Sequence, residues 1–437
     1  MSAIHTFRYH LMKEAGVPLL MGVNDLQGKL KKPRTPPDWL GPALECNDRL
    51  KSIMGKHYLL AKYAKGAMPV AWVTSGTPVE ILRVLGFYTV YPENHGAICG
   101  ARKVGVSMSE PAERAGYSQD ICSYARIDLG VALGARGPLG RLPKPDVLVC
   151  CTNICQTVMY WYKQLAHHYG VPLLLFDTPY LTGELDEPTL HYMTQQLRDL
   201  IPPVERISAT DFDEGRFLDV LQIAKATSLL WGDVLGQMKS KPAPMTIFDA
   251  FAHMAPVVSL RGLHVAYGYY QALHQELKNR SAAGTGGIKG ERTRLLWDNI
   301  AVWFKVGEFA KLFGSAGAAF VAATYTNAWA ETSRHLNRAK PFESLAKTYS
   351  TVILNTDLNY RVQLMSRMIR EYDIQGVVFH STRSCKPYSV GQYDIARRLA
   401  KECNVKTVVI EADTTDPRNY AEGPTRTRLE AFLEGFE

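Results

Sequence analysis

Cys385 sits in the run His380-Ser381-Thr382-Arg383-Ser384-Cys385-Lys386-Pro387-Tyr388-Ser389. The apolar stretch Gln375-Gly376-Val377-Val378-Phe379 leads into it, and an amphipathic helical pattern over residues 392–402 follows. A thiol in such a strand-to-helix turn lies where strand carboxyl ends and helix amino ends converge, the usual ligand position in an open α/β sheet. Two further cysteines share this character. Cys122 stands near a predicted helix start in the segment Gly116-Tyr117-Ser118-Gln119-Asp120-Ile121-Cys122, and Cys155 follows Thr152-Asn153-Ile154 beyond a predicted strand. Thiolates near helix amino ends have lowered pKa values and suit a soft metal. If two domains face each other, all three thiols point into one cleft.

The chain has eight cysteines and no CxxC pair, which leaves a zinc ribbon or thioredoxin-like site without support. An intracellular chain is not expected to form disulfides from them. Cys150 and Cys151 lie inside a predicted strand, and Cys46 and Cys403 on helical patterns, so these four read as packing. Cys99, in a predicted loop after a strand, stays open between packing and function. Three thiolates are one short of a structural zinc site and of the common four-cysteine iron–sulfur cube. A cube on three would leave one iron open to water or a substrate oxygen, a Lewis-acid and electron-transfer site at once. Core packing remains the alternative reading of the trio.

The elements that must position these thiols alternate. Apolar runs predict strands at residues 69–73, 87–91, 146–152 and 171–176, with helical patterns at 79–85, 119–130 and 157–169. Thr77 and Pro78 suggest an N-cap and first helical residue before Val79. A second α/β series has strands at 294–297, 318–324, 376–379 and 406–411, and helices at 306–313, 356–371, 392–402 and 425–436. Long helices are expected over 212–238 and 247–279, then a glycine-rich, flexible linker at 281–287. No strand feeds that linker and no GK[ST] ends it, which argues against a phosphate loop. The expected architecture is α/β: two Rossmann-like parallel-sheet domains facing a central cleft, with additional helical segments. The expected boundaries are 1–66 (irregular and helical), 67–209 (first α/β domain), 210–290 (helical insert and linker) and 291–437 (second α/β domain).

With 437 residues, 46% hydrophobic and 21% charged, the composition is that of a globular protein. His5, Arg8, His10, Lys13 and Glu14 interrupt the first apolar stretch, so no signal peptide is expected, and no apolar run approaches a membrane span. The expected location is the cytoplasm. Net charge is +8, yet the densest basic run, residues 29–32, is broken by Leu30. That reads as a solvated surface, or as mild attraction for a phosphate-rich ligand or an acidic electron donor. Clustered Lys/Arg interleaved with aromatics are missing, so nucleic acid is not an expected partner.

At these residues the chain resembles the 2-hydroxyacyl-CoA dehydratase and benzoyl-CoA reductase family. The resemblance rests on Tyr91-Pro92-Glu93-Asn94-His95, residues 116–126, 152–156 and 380–395, Glu411-Ala412-Asp413-Thr414-Thr415-Asp416-Pro417-Arg418, and Arg426-Thr427-Arg428-Leu429-Glu430-Ala431-Phe432. It spans nearly everything from residue 70 onward. It implies a [4Fe-4S] cluster held by Cys122, Cys155 and Cys385, with one open iron site. Cys150 and Cys151 share a segment with Cys155, which is favoured because it lies past the strand. The implied partners are a homologous cluster-binding subunit, ATP-hydrolysing activator-type subunits that carry ATP and magnesium, a ferredoxin, and an acyl-CoA substrate. The overall look is similar to the B-type component of class I benzoyl-CoA reductase, which uses ATP and ferredoxin electrons to reduce the aromatic ring to a cyclic diene. The other branch eliminates water from a 2-hydroxyacyl-CoA through a ketyl radical; a third reading is an electron-relay subunit without its own substrate site.

Four residues near predicted strand ends are acid–base candidates: His380, Glu93, Glu411 and Asp413, each with a capping or salt-bridge role as the competing reading. Arg383 and Lys386 are candidates for holding CoA phosphates or for tuning the cluster environment.

Overall fold

The computed structural model describes residues 2–29 and 35–436. Leu30, Lys31, Lys32 and Pro33, from the basic and proline-rich stretches of the sequence, lie outside them. Two sheets organise the chain. β1 (Val70–Val73), β2 (Tyr88–Val90), β3 (Val147–Cys151) and β4 (Leu173–Phe176) pair in parallel in the order β2-β1-β3-β4. β5 (Thr293–Asp298), β6 (Ala318–Ala323), β7 (Gly376–Thr382) and β8 (Lys406–Ala412) repeat the pattern as β6-β5-β7-β8. The chain is an α/β protein of two domains. Strands β1, β3, β5 and β6 are buried along their whole length, as expected of parallel sheets covered by helices on both faces.

The matching strand orders make β5, β6, β7 and β8 the counterparts of β1, β2, β3 and β4. In each sheet the order reverses between the first and third strands, β1 and β3 or β5 and β7. Such a reversal opens a crevice at the strand carboxyl ends. Cys155 follows β3 and Cys385 follows β7, so these two thiols occupy equivalent switch points of the two domains.

Every strand expected from the sequence is present, and four expectations need correction. β7 runs through Thr382 rather than ending at Phe379, because β8 pairs with it residue by residue up to Ala412. His380 therefore belongs to the strand. Cys99 lies not in a loop but in the Pro92–Ala101 helix, fully buried and 3.7 Å from His95 Nε2. The helix expected over 247–279 is three: Ile247–His253, Ala255–Ser259 and His264–Ala282. The first begins with a Thr246/Asp249 capping box, Pro256 opens the second, and Gly262 at φ 80° turns the chain before the third. Lastly, the 281–287 glycines serve close approach. Gly287 N–H donates to Ala243 O (2.8 Å), Gly41 N–H donates to Gly287 O (3.0 Å), and a Cβ on Gly287 would stand 2.6 Å from the Met245 carbonyl carbon.

Helices Pro92–Ala101, Gly105–Arg114, Thr324–Glu331 and Pro341–Ser350 are not expected from the sequence, and three of the four help form the site described next. Among the described residues no helix is long and apolar enough to cross a membrane.

Candidate active site

Cys122, Cys155 and Cys385 are each the N-cap of a helix: Ser123–Ala132, Gln156–Tyr169 and Lys386–Ser389 respectively. All three are half-buried, whereas Cys46, Cys99, Cys150 and Cys151 are buried outright. Each thiol is held up by burial, Cys155 to about 11 and Cys385 to about 12, and Cys122 is raised further. The next contribution for Cys122 is the neighbouring charge of Cys385 and then of Cys155, and for Cys385 it is that of Cys155. The three sulfurs thus converge on one space. Opposing this, the amides of Ala125, Val158 and Tyr388, each three residues on, favour the thiolates.

Thiols crowded together and desolvated gain most from a bound cation, which reverses the sign of the local field and deprotonates them outright. Among the described residues no group of three or more His, Cys, Asp or Glu side chains is arranged to hold a single metal ion. A cube differs from a single ion in the spacing it needs, because each cysteine binds a different iron. Three convergent thiols at helix amino ends fit that donor set.

A network across the domain boundary fixes their positions. Ser123 N–H donates to Ser384 Oγ (3.3 Å), so the residue after Cys122 meets the residue before Cys385. Ser384 Oγ–H donates to Asp413 Oδ2 (2.5 Å), and Ser123 Oγ lies 2.9 Å from Thr414 Oγ1. Fully buried Arg126 donates to Glu113 (2.6 Å) and Asp416 (2.9 Å), and Arg418 joins the same two carboxylates. Asn153 Nδ2 donates to Gly76 O (3.1 Å) and Tyr349 O (2.9 Å), linking the turns after β1 and β3 to the second half of the chain. A Cβ on Gly76 would meet Asn153 Oδ1 at 2.2 Å, so that turn requires glycine.

A mainly apolar pocket opens beside the thiols, lined by residues within three positions of each of them: Tyr124, Ile154 and Tyr388. Equivalent turns of the two domains supply further walls, Ser75 after β1 with Ile300 after β5, and Glu93 after β2 with Tyr325 after β6. Trp329 and Tyr349 complete an aromatic lining. Arg261 also reaches this wall but is fully committed. It donates to Glu80 (2.9 Å), Val257 O (3.3 Å), Thr77 O (3.4 Å) and the Tyr349 hydroxyl, with its guanidinium 5.1 Å from the Trp329 ring centroid. The pocket therefore offers little to a second carboxylate on a ligand.

Glu93 is the acid of this pocket. Burial pushes it up to about 7, and Ser75 N–H, which donates to its Oε2 at 2.5 Å, only partly offsets this. It stands in the first turn of the Pro92–Ala101 helix, where the helix dipole favours a carboxylate, yet desolvation wins. A carboxyl group poised near neutrality in an apolar pocket can give or take a proton.

The other residues singled out in the sequence lie elsewhere. His380 is wholly buried in β7, with Nδ1 2.7 Å from Ile300 O and burial lowering it to about 4. It packs against Trp297 and is not on the pocket wall. Asp413 is spent on Ser384 and on the amides of Thr415 and Asp416. Arg383, Lys386 and Glu411 line a separate, polar depression on the outer side of the Cys385 turn. There Arg383 stands 3.7 Å from exposed Glu411, and Lys386 Nζ donates to Arg383 O (2.8 Å). Sequence patterns alone miss Ser75, Tyr124, Tyr325, Trp329, Tyr349 and Tyr388. Tyr124 and Tyr388 stand two and three residues from chosen cysteines, but nothing ranks the rest among 22 tyrosines and seven tryptophans.

The profile of the 2-hydroxyglutaryl-CoA dehydratase D-component family matches residues 74–436. The (R)-phenyllactyl-CoA dehydratase alpha subunit of Clostridium sporogenes is 32% identical, over 89% of this chain and 97% of its own. The (R)-2-hydroxyisocaproyl-CoA dehydratase alpha subunit of Clostridioides difficile is 30% identical, over 89% and 95%. The B-type component of benzoyl-CoA reductase from Thauera aromatica is also 30% identical, over 84% and 89%.

Proposed function

Because this chain belongs to the 2-hydroxyglutaryl-CoA dehydratase D-component family, we propose that it is the iron–sulfur subunit of an ATP-dependent benzoyl-CoA reductase. In this reading it delivers ferredoxin electrons to the aromatic ring of an acyl-CoA and leaves a cyclic diene. The observation that carries the reading is the pairing of three convergent N-cap thiols with an aromatic pocket that contains a single poised acid.

Cys122, Cys155 and Cys385 would hold a [4Fe-4S] cluster, which would supply low-potential electrons and Lewis acidity beside the pocket. This chain's own residues do the rest. Tyr124, Tyr325, Trp329, Tyr349 and Tyr388 exclude water and stack against a flat, uncharged acyl group. Glu93, protonated for much of the time at neutral pH, gives a proton to the reduced ring and is held in place by Ser75 N–H. ATP hydrolysis falls to activator-type partner subunits, and a homologous cluster-binding subunit completes the complex.

A second reading draws support from the relatives, since four of the five long matches are named dehydratase alpha subunits. There the chain would serve elimination of water from a 2-hydroxyacyl-CoA, with Glu93 moving a proton at the substrate. Anaerobic assays of the complex with benzoyl-CoA and with an aromatic 2-hydroxyacyl-CoA separate the two. Ring reduction is the expected result; water loss without ring reduction overturns the first reading in favour of the second. Neither activity, with cluster reduction intact, would leave this chain an electron relay.

A further inference from the structure

Glu80, on the six-residue helix Val79–Val84, is only 1% exposed and is not itself on the pocket wall. The charge it meets does belong to the wall. Arg261, 2% exposed, lines the pocket, and its Nε donates to Glu80 Oε1 (2.9 Å). The hydroxyl of Tyr349, another wall residue, donates to Glu80 Oε2 (2.8 Å) and lies within hydrogen-bond reach of Arg261 as well. Other guanidinium hydrogens go to Val257 O (3.3 Å) and Thr77 O (3.4 Å). Both carboxylate oxygens are thus engaged, as a buried charge requires.

The three residues come from distant parts of the chain. Glu80 follows β1, Arg261 lies in the turn between helices Ala255–Ser259 and His264–Ala282, and Tyr349 is on Pro341–Ser350. A fastener joining these parts would need no charge on the pocket wall. Here the guanidinium is part of that wall, 5.1 Å from the Trp329 ring centroid. Among the described residues Glu80 is the only carboxylate paired with Arg261. Arg83, one turn on from Glu80, is partly exposed and off the wall, and donates to Ser259 O (2.7 Å) and Arg261 O (3.4 Å). With Glu80 ionised, the Glu80–Arg261 pair carries no net charge. Without that carboxylate, the apolar wall would present an unbalanced cation in a low dielectric, which attracts an anionic group.

We propose that Glu80 sets the acyl specificity of the pocket: by cancelling the charge of Arg261 it turns away acyl-CoA thioesters that carry a second, free carboxylate and admits uncharged acyl groups. The assignment rests on the reading that this pocket takes the acyl group, and it holds for ring reduction and water elimination alike. A carboxylate entering the wild-type pocket loses its water and finds the guanidinium already engaged, so it is rejected as an unpaired buried charge. Glu80 acts through Arg261 and touches no substrate.

Equilibrium binding of glutaryl-CoA and of its terminal methyl ester to the anaerobically purified complex tests this, since the pair differs in charge at one end. The wild type should bind the ester about 10-fold or more tighter than the acid. Glu80→Gln keeps the side-chain size and an acceptor for Arg261, and there the acid should gain about 10-fold or more relative to the ester. Adding Arg261→Met to Glu80→Gln should abolish the gain. Glu80→Asp, which draws the charge back by one methylene, should move the ratio in the same direction and serves if Glu80→Gln fails to fold. These variants separate Glu80 from Glu93, whose own charge disfavours the acid in wild type and variant alike. A ratio unchanged in the folded Glu80 variants, or a gain that persists with Arg261→Met, overturns the proposal. So do acid and ester that bind the wild type equally, or not at all, whatever the complex catalyses. A shifted ratio in a complex that does not reduce benzoyl-CoA upholds the role of Glu80 and overturns the reductase reading alone.

Discussion

Cys122, Cys155 and Cys385 differ from the other five cysteines in one respect: each stands immediately before the first turn of a helix. That position was legible in the sequence, because strand-like apolar runs end just before Cys155 and near Cys385. Their convergence was not legible, since it depends on how two sheets face each other. If they ligate a cluster, Cys385→Ser should cost most of the bound iron, and Cys403→Ser, on a helix away from the site, should leave iron content at the wild-type level. Glu93 was legible only as an acid near a strand end, on equal terms with His380. The structure separates the two, because β7 continues through His380 and carries it into the core. Glu93→Gln should keep the cluster and lower turnover by about 10²- to 10⁴-fold, the usual loss on removing a general acid; iron analysis and steady-state rates check both halves.

At the scale of elements, the turn after β8 binds the Cys122 helix to the Cys385 turn. Arg126 is fully buried between Glu113 and Asp416, and removing it takes one of the two cations from these carboxylates, leaving Arg418, and empties a buried site. Arg126→Ala should therefore destabilise the fold by about 3–5 kcal/mol, measured by denaturant unfolding of the full chain, and should loosen the cluster site as well. The sequence signal at Glu411-Ala412-Asp413-Thr414-Thr415-Asp416-Pro417-Arg418 was strong, but its chemistry is this fastening rather than acid–base work at the pocket. The strands were easy to read because buried parallel strands are continuous apolar runs. The Pro92–Ala101 helix was hard, as Gly96 and Gly100 lower its helix propensity. Tertiary contact explains them: a Cβ on Gly96 would meet Tyr124 Cδ1 at 2.6 Å, and one on Gly100 would meet Thr415 Cγ2 at the same distance. Gly96 brings the Glu93 helix against the Cys122 helix and Gly100 brings it against the turn after β8, requirements that local pattern does not reveal.

Across the whole molecule, the repeated strand order makes the site a meeting of equivalent turns from two domains, with Cys122 the one thiol of the three that has no counterpart. The same burial that equips the site shapes stability against pH. Glu93 and Asp128 are raised to about 7 and about 8, so their contribution is full below their unfolded pKa values and is lost as pH rises through those folded values. His95 and His380 are lowered to about 4, so their contribution is full above the unfolded value near 6.5 and is lost as pH falls below it. The two effects oppose each other below about pH 6.5; above it only the acids act. Thermal unfolding midpoints should fall between about pH 6.5 and 8.5, and Glu93→Gln with Asp128→Asn should flatten that fall.

The central claim is that three N-cap thiols from two domains hold an iron–sulfur cluster beside the pocket. Iron and acid-labile sulfide, measured on the full chain after strictly anaerobic purification, test it most directly. The account predicts about four of each per chain, lost together in Cys122→Ser, Cys155→Ser and Cys385→Ser. A folded, colourless protein without iron, or a cluster that survives all three substitutions, would contradict it.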